Sequence, residues 1–177
     1  MPTIRPLAAS DCLTELTALL HASYASLAAQ GWNFTAVDQP VAVTRERVTL
    51  GQAFVAEHEG RFVGTVTVSP PKPADGSYLG DPVPACYTQR DTAILAQLAV
   101  HPALRGQRLG ERLMDAAEAW AATHGYAHVA LDTAKPAEHL QRRYARRGYV
   151  HVGEVQWQGK TYASVLMVKA LAMGTAA

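Results

Sequence analysis

An apolar run in the second half of the chain constrains the fold more than any other feature of the sequence. Residues 93–100 read AILAQLAV, and their length and content predict a buried strand. Pro102 ends that strand because a proline cannot donate a hydrogen bond to a neighbouring strand. A helix is predicted next, since apolar residues recur with helical spacing from Leu109 to Trp120. Gly125 stands where a left-handed helix stop is expected.

The turn between this strand and this helix has the composition of an anion site. It reads RGQRLG over residues 105–110 and leads into a helix N-terminus, where free N–H groups and the helix dipole favour negative charge. Gly106 and Gly110 allow the backbone to approach a phosphate closely. Arg105 and Arg108 add charge that binds phosphate through paired hydrogen bonds. Taken alone, the turn is equally compatible with a plain connection from strand to helix.

The strand end and the turn together are more specific. Residues 100–110, VHPALRGQRLG, resemble the acetyl-CoA loop of the GCN5-related N-acetyltransferase family, which reads Gln/Arg-x-x-Gly-x-Gly/Ala. Arg105 fills the first place of that pattern and Gly110 the last, whereas Arg108 stands in the place of the middle glycine. An arginine at this position still provides a backbone N–H donor. The sequence does not say whether its backbone adopts the conformation of the glycine that it replaces.

A second motif follows at the expected distance. Residues 144–149, YARRGY, resemble the Tyr-x-x-x-Gly-Phe/Tyr helix end of the same family. The resemblance extends over residues 93–171, whereas the first half of the chain carries no motif of its own. It implies the fold and the activity of that family, which is acyl transfer from acetyl-CoA to an amine.

The resemblance also implies which residues hold acetyl-CoA. Three residues at the end of the strand are implied to hold the pantetheine arm: Leu98, Ala99 and Val100. The loop is implied to bind the pyrophosphate through Arg105, Gly106, Gln107, Arg108, Leu109 and Gly110. A backbone N–H near residues 98–100 would polarise the thioester carbonyl, because charge develops on that oxygen as the amine attacks.

Tyr144 is the candidate general acid. A phenol has a pKa of about 10, near that of a leaving thiol, so it can protonate sulfur without first being ionised. The alternative is a core tyrosine that completes the apolar face of a helix. The general base stays open, since a water chain or a neutral amine would serve as well as one of the carboxylates near strand ends: Glu57, Asp91, Asp132 and Glu154.

The remaining periodicities predict a single α/β domain over residues 1–171 with a frayed tail at 172–177. The strand at 127–132 should run parallel to 93–100, because a helix connects them. The result is a mixed, mostly antiparallel sheet with a central parallel strand pair, flanked by helices. The other predicted elements are strand 3–6, helix 13–27, helix 40–50, strands 53–57 and 61–68, a helix from Pro136 to Gly148, and strands 149–157 and 161–171.

Composition excludes several classes of function. A net charge of +1 argues against binding nucleic acid or an anionic membrane. Two cysteines imply no disulfide framework, and no apolar run spans a bilayer or forms a signal core, so a cytoplasmic setting is expected. The seven histidines are scattered without metal-ligand spacing, so no metal is expected. Cys86 is interpreted as an unreactive thiol.

Partners are predicted only by class. The acceptor is a small-molecule or peptide amine, and candidate pocket aromatics are Tyr24, Trp32, Phe34, Tyr78, Tyr87 and Tyr162. Residues 69–90 are rich in proline, which predicts an irregular loop on the substrate side. The last hairpin offers residues 165–168 as an edge for a homodimer. The alternative functions are a non-catalytic acyl-CoA sensor, a site for another phosphate ligand such as a nucleotide, and an interaction module.

Overall fold

The computed structural model describes residues 1–74 and 83–172. Within them, the chain forms seven strands and five α-helices in a mixed α/β order, with short 3-10 turns at Thr35–Val37 and Pro102–Leu104. The elements are β1 Thr3–Pro6, α1 Leu13–Ala28, α2 Val41–Thr49, β2 Gln52–His58, β3 Arg61–Ser69, α3 Ala85–Thr88, β4 Thr92–Val100, α4 Leu109–Thr123, β5 His128–Ala134, α5 Glu138–Arg146, β6 Val150–Val155 and β7 Ser164–Ala170.

The strands form one mixed sheet, which confirms the predicted fold class. The hydrogen-bonded order is β1-β2-β3-β4-β5-β7-β6. Strands β4 and β5 pair in parallel from Thr92 opposite His128 to Ile94 opposite Ala130, as expected for strands joined by a helical crossover. Both predicted hairpins, β2-β3 and β6-β7, are antiparallel. None of the helices among the described residues has the length and apolarity needed to cross a membrane.

The contacts of the chain group it into two compact units, of which the first comprises residues 1–69 and 95–119. Its core forms where the apolar stripe of α1 meets β2 and β3, and Leu16, Val55 and Phe62 are buried there. Each buried leucine of this kind contributes about 1.5–3 kcal/mol through apolar surface removed from water. Gly64 lets α4 pack closely, because a Cβ at that position would lie 2.8 Å from Leu113 Cδ1.

The second unit comprises residues 70–94 and 120–177, of which 75–82 and 173–177 lie outside the described residues. Its core is a cluster around Tyr87, Ile94, Ala130 and Leu166. The predicted frayed tail therefore falls outside the described residues apart from Ala172.

Two expectations about this unit are wrong. Residues 69–90 are not wholly irregular, because α3 forms at Ala85–Thr88 directly after Pro84, a position where a proline costs the helix no hydrogen bond. Residues 165–168 are not an edge, because β7 pairs with β5 on one side and with β6 on the other. The outer strand is β6, whose Val150 and Val152 are exposed. A homodimer stays a prediction.

Candidate active site

The second half of β4 carries the residues implied to hold pantetheine. Ala99 is buried against Leu20, whereas Leu98 and Val100 are half-buried. The carbonyl oxygen of Leu98 accepts a hydrogen bond of 3.1 Å from the Tyr24 hydroxyl on α1. The carbonyl oxygen of Leu98 therefore already has a side-chain donor, the Tyr24 hydroxyl.

The loop after β4 carries two residues in the left-handed region of the backbone. Gly106 has a φ of 81° and Arg108 a φ of 59°. Arg108 thus adopts the conformation that a glycine would reach without strain, at a cost of about 1–2 kcal/mol for a residue with a Cβ. Arg108, which stands in the place of the middle glycine of the family pattern, therefore still has a left-handed backbone.

The same loop presents a row of free N–H groups. From Gly106 to Gly110, no backbone N–H donates to an acceptor within residues 1–74 and 83–172. The next two N–H groups, those of Glu111 and Arg112, donate to the Arg108 carbonyl at 3.1 and 3.2 Å and start α4. These five consecutive N–H donors lie at the positive end of α4, a helix of 15 residues. Such an arrangement can bind an anion with several oxygens, such as a pyrophosphate.

The two arginines of the loop differ in what they contact. Arg105 Nη2 donates to the Ser23 carbonyl of α1 at 2.6 Å, so its guanidinium ties the loop to α1. The side chain of Arg108 is exposed and has no hydrogen-bond or ion-pair partner among the described residues. Of the two side chains, that of Arg108 is the one available to an anion.

Tyr144 lies at the end of α5, in the second unit. The Tyr149 N–H donates to the Tyr144 carbonyl and the Gly148 N–H to the Ala145 carbonyl, while Gly148 has a φ of 92°. This is a Schellman helix end, and the rings of Tyr144 and Tyr149 contact each other edge to face at 6.1 Å. Tyr144 is 9% exposed, so the packing role expected of a core tyrosine is present as well.

Comparison with known proteins decides the family. The sequence model of the Acetyltransferase (GNAT) family matches residues 16–149. This chain belongs to that family. None of the curated protein sequences matches it.

Solved structures of GNAT proteins share the fold over nearly the whole chain. One is the ribosomal-protein-S18-alanine N-acetyltransferase from Escherichia coli, with a TM-score of 0.71 and 15% identity over 98% of this chain and 96% of that chain. Ard1 from Thermoplasma volcanium gives a TM-score of 0.72 and 16% identity over 97% and 98%. A GNAT family acetyltransferase from Elizabethkingia anophelis with acetyl-CoA bound gives 0.68 and 14% over 96% and 98%. At these identities the likeness concerns the fold.

The four candidate carboxylates differ in their partners. Three of them face a basic side chain: Glu57 contacts Arg5 at 2.8 Å, Glu154 contacts Lys135 at 2.9 Å, and Asp91 lies 3.2 Å from His128 Nδ1. Asp132 has no cationic partner among the described residues.

Asp132 is held instead by two neutral donors of this GNAT chain. The Tyr87 hydroxyl donates to Oδ1 at 2.7 Å and Trp157 Nε1 donates to Oδ2 at 3.1 Å. The two rings stack with centroids 6.2 Å apart. The contact between Tyr87 and Asp132 was not predicted, because Tyr87 lies in a stretch whose prolines indicated an irregular loop.

The structure also bears on the other sequence-based candidates. Burial raises the pKa of the Cys86 thiol, and the nearby Asp132 charge adds to that effect, which disfavours a thiolate nucleophile. The described residues contain no group of three or more side chains suited to a metal ion. Of the candidate pocket aromatics, Tyr24 contacts β4 and Tyr87 contacts Asp132, whereas Tyr78 lies outside the described residues.

Sequence reasoning missed Gln97 and Gln39 altogether. Gln97 lies in the middle of β4 with a left-handed φ of 52°, and its side chain accepts a hydrogen bond from Gln39. Glutamine is not a residue that marks a turn, so no sequence signal pointed to this position.

Proposed function

We propose that this protein is an N-acetyltransferase that moves an acetyl group from acetyl-CoA to a primary amine by direct attack. The observation that supports the proposal is the row of N–H groups from Gly106 to Gly110 at the start of α4, which find no acceptor in the part of the chain that the structure describes, in a chain of the GNAT family. The proposal includes a cytoplasmic setting and a single domain over residues 1–171, both of which rest on the sequence alone.

The binding of acetyl-CoA is assigned to the first unit. The pyrophosphate accepts hydrogen bonds from the N–H groups of residues 106–110, and Arg108 adds a positive charge. Arg105 acts through its bond to Ser23, which keeps the loop against α1. Leu98, Ala99 and Val100 take the pantetheine arm along β4.

Transfer then needs two proton movements besides the attack. The amine lone pair attacks the thioester carbonyl carbon, and a backbone N–H of residues 98–100 stabilises the oxyanion. As the carbon–sulfur bond breaks, the Tyr144 hydroxyl gives its proton to the departing thiolate. The proton of the amine passes to a general base, which stays open between a water chain and the candidate carboxylates. No covalent enzyme intermediate forms.

The first test is calorimetric titration with acetyl-CoA, followed by thiol release in the presence of a panel of small-molecule and peptide amines. Micromolar binding with thiol release for one amine class supports the transferase and identifies its acceptor. Binding without release for any amine supports the alternative function, a non-catalytic acyl-CoA sensor. Absence of binding by folded protein contradicts both.

Tyr144→Phe tests the acid. The ring contact with Tyr149 is retained, so we expect kcat to fall by about 10²–10⁴-fold while the Kd for acetyl-CoA stays within a few-fold. The measurement is steady-state thiol release over a range of pH, together with calorimetry.

Tyr149→Phe is the matched control, because it keeps the same ring pair and removes the other hydroxyl. Its kcat should stay near that of the wild type. Equal losses of kcat in the two variants would assign both tyrosines to packing and remove the acid role from Tyr144.

A further inference from the structure

Strand β4 turns at one residue in its middle. Gln97 has a φ of 52°, inside a strand that runs from Thr92 to Val100. For a residue with a Cβ the left-handed region is disfavoured, and such a conformation persists only where the surroundings hold it. The surroundings of Gln97 therefore require an explanation of their own.

Three side chains hold the backbone around this turn. The Thr67 hydroxyl donates to the Ala96 carbonyl at 3.0 Å, on one side of Gln97. The Tyr24 hydroxyl donates to the Leu98 carbonyl at 3.1 Å, on the other side. Gln39 Nε2 donates to Gln97 Oε1 at 3.0 Å and anchors the side chain of the turned residue itself.

Gln39 is in turn oriented by its own partners. Arg47 Nη1 lies 3.0 Å from Gln39 Oε1, and a guanidinium only donates, so the oxygen of the Gln39 amide faces Arg47. Gln39 Nε2 therefore faces away and donates both to Thr44 Oγ1 at 2.7 Å and to Gln97. His21 Nε2 lies 2.9 Å from the Gln39 carbonyl and fixes the main chain.

This arrangement leaves a cost at Gln97. With Oε1 taken by Gln39, Gln97 Nε2 is buried and has no partner among residues 1–74 and 83–172. A buried donor without a partner is unfavourable, and so is the left-handed backbone at the same residue. Two unfavourable features at one position, next to the residues assigned to the thioester, indicate a role other than stability.

We propose that Gln97 and Gln39 are positioning residues for acetyl transfer. Their contact, here called the Gln39–Gln97 clamp, holds β4 in its turned conformation and thereby aims the N–H groups of residues 98–100 at the thioester carbonyl. This inference rests on the proposed function. It assigns to the clamp the pre-orientation of a donor that stabilises the developing oxyanion, an effect that is large because the donor is in place before the reaction.

Four substitutions at Gln97 separate backbone conformation from packing. Glycine and asparagine tolerate the left-handed region, whereas alanine and valine do not. We expect Gln97→Ala and Gln97→Val to lower kcat by about 10–100-fold, and Gln97→Gly and Gln97→Asn to recover most of that loss. A packing role predicts the opposite order, because glycine in a strand is worse than alanine.

A second cycle tests the clamp through its other member. Gln39→Met removes the anchor and should lower kcat as Gln97→Ala does. In the Gln97→Gly background, Gln39→Met should have little further effect, because the glycine no longer needs to be held. Additive losses in the double variant would overturn the clamp as the holder of the turn.

Two further measurements keep the test decisive if a variant is weakly folded. Calorimetry with CoA should show a much smaller change in Kd than in kcat in every variant, because the N–H row of residues 106–110 is untouched and only the pantetheine contacts of residues 98–100 are shifted. Amide chemical shifts of residues 98–100 should change in Gln97→Ala and stay close to the wild type in Gln97→Gly. Thr65→Val serves as the control for general loosening of the sheet: it removes the hydroxyl bond from Thr65 on β3 to the Phe54 carbonyl at 2.9 Å, away from β4, and should lower the Tm with little change in kcat.

The outcomes separate this inference from the function on which it rests. If the wild-type protein binds acetyl-CoA and releases thiol, but Gln97→Ala is as active as Gln97→Gly, the positioning role fails and the transferase stands. If the wild type neither binds CoA nor releases thiol, the proposed function fails and the positioning role falls with it.

Discussion

Three residues of the first unit other than glycine lie in the left-handed backbone region, and two of them, Gln97 and Arg108, are held there in opposite ways. Gln97 in β4 is 5% exposed; its side chain accepts a hydrogen bond from Gln39, and the carbonyls of its two neighbours accept hydrogen bonds from Thr67 and Tyr24. Arg108 in the loop before α4 is exposed, and its side chain has no partner among the described residues. The strained conformation in β4 is therefore imposed by tertiary contacts, whereas that in the loop belongs to a local turn that any residue tolerant of positive φ can form.

The difference has a consequence for substitution. At Arg108 a substitution by glycine removes backbone strain without removing any packing, so the free energy of unfolding should rise. At Gln97 the same substitution removes the strain but also the hydrogen bond from Gln39, so the free energy of unfolding should not rise. Three substitutions test this difference, and their expected effects decrease in the order given.

Gly110→Asp should have the largest effect, since it adds a carboxylate to the row of N–H groups in the loop. Like charge and crowding against the pyrophosphate should weaken acetyl-CoA binding by about 100-fold or more. Calorimetric titration measures the change. Gly110→Ala is the control, because the family pattern accepts alanine there, and it should bind nearly normally. Unchanged affinity in Gly110→Asp would show that the loop is only a turn.

Tyr24→Phe should have an intermediate effect, because it removes one of the hydrogen bonds that hold β4 next to Gln97. The hydroxyl bond to the Leu98 carbonyl is lost, while the edge-to-face contact with Phe34 is kept, so stability should fall by about 1 kcal/mol. Chemical denaturation with a linear extrapolation measures it. Tyr126→Phe, which removes a hydroxyl from the second unit, is a control with no expected effect on β4. A loss of kcat beyond that of the control would link this contact to the positioning of residues 98–100.

Arg108→Gly should have the smallest effect, and of opposite sign. Relief of the left-handed strain, partly offset by the flexibility of glycine in the unfolded chain, should raise stability by about 0.5–1 kcal/mol. Arg108→Ala removes the same charge and keeps the strain, so comparison of the two in thermal unfolding isolates the backbone term. A rise for both variants would indicate that the charge of Arg108, and not its backbone, costs stability.

The turn at 105–110 and the helix end at 144–149 were predicted from local sequence because their determinants are local. The stretch 105–110 forms a turn with free N–H groups because glycine and a helix start lie side by side in the chain. Residues 144–149 form a Schellman end because Gly148 follows the last turn of α5 and supplies the positive φ. The parallel pairing of β4 and β5 was predicted for the same reason, since a helix connects them directly.

The contacts that were not predicted join residues far apart in sequence. Gln39 and Gln97 are separated by 58 positions, and Tyr87 and Asp132 by 45. No periodicity or turn signal encodes such a pair, because a side-chain amide or phenol finds its partner only after the strands and helices have packed. The interior place of β7 was misjudged for the same reason, since the order of strands in a sheet depends on pairings between distant segments.

Most of the helices and strands, the family and the turn before α4 could be predicted from the sequence, because propensity, periodicity and glycine positions act within a few residues. The left-handed turn of β4 at Gln97, and the lack of a cationic partner for Asp132 among the described residues, became visible only in the folded structure. Those features depend on hydrogen bonds whose donor and acceptor meet through the packing of the whole unit, and the free energy that holds a strained residue comes from that packing.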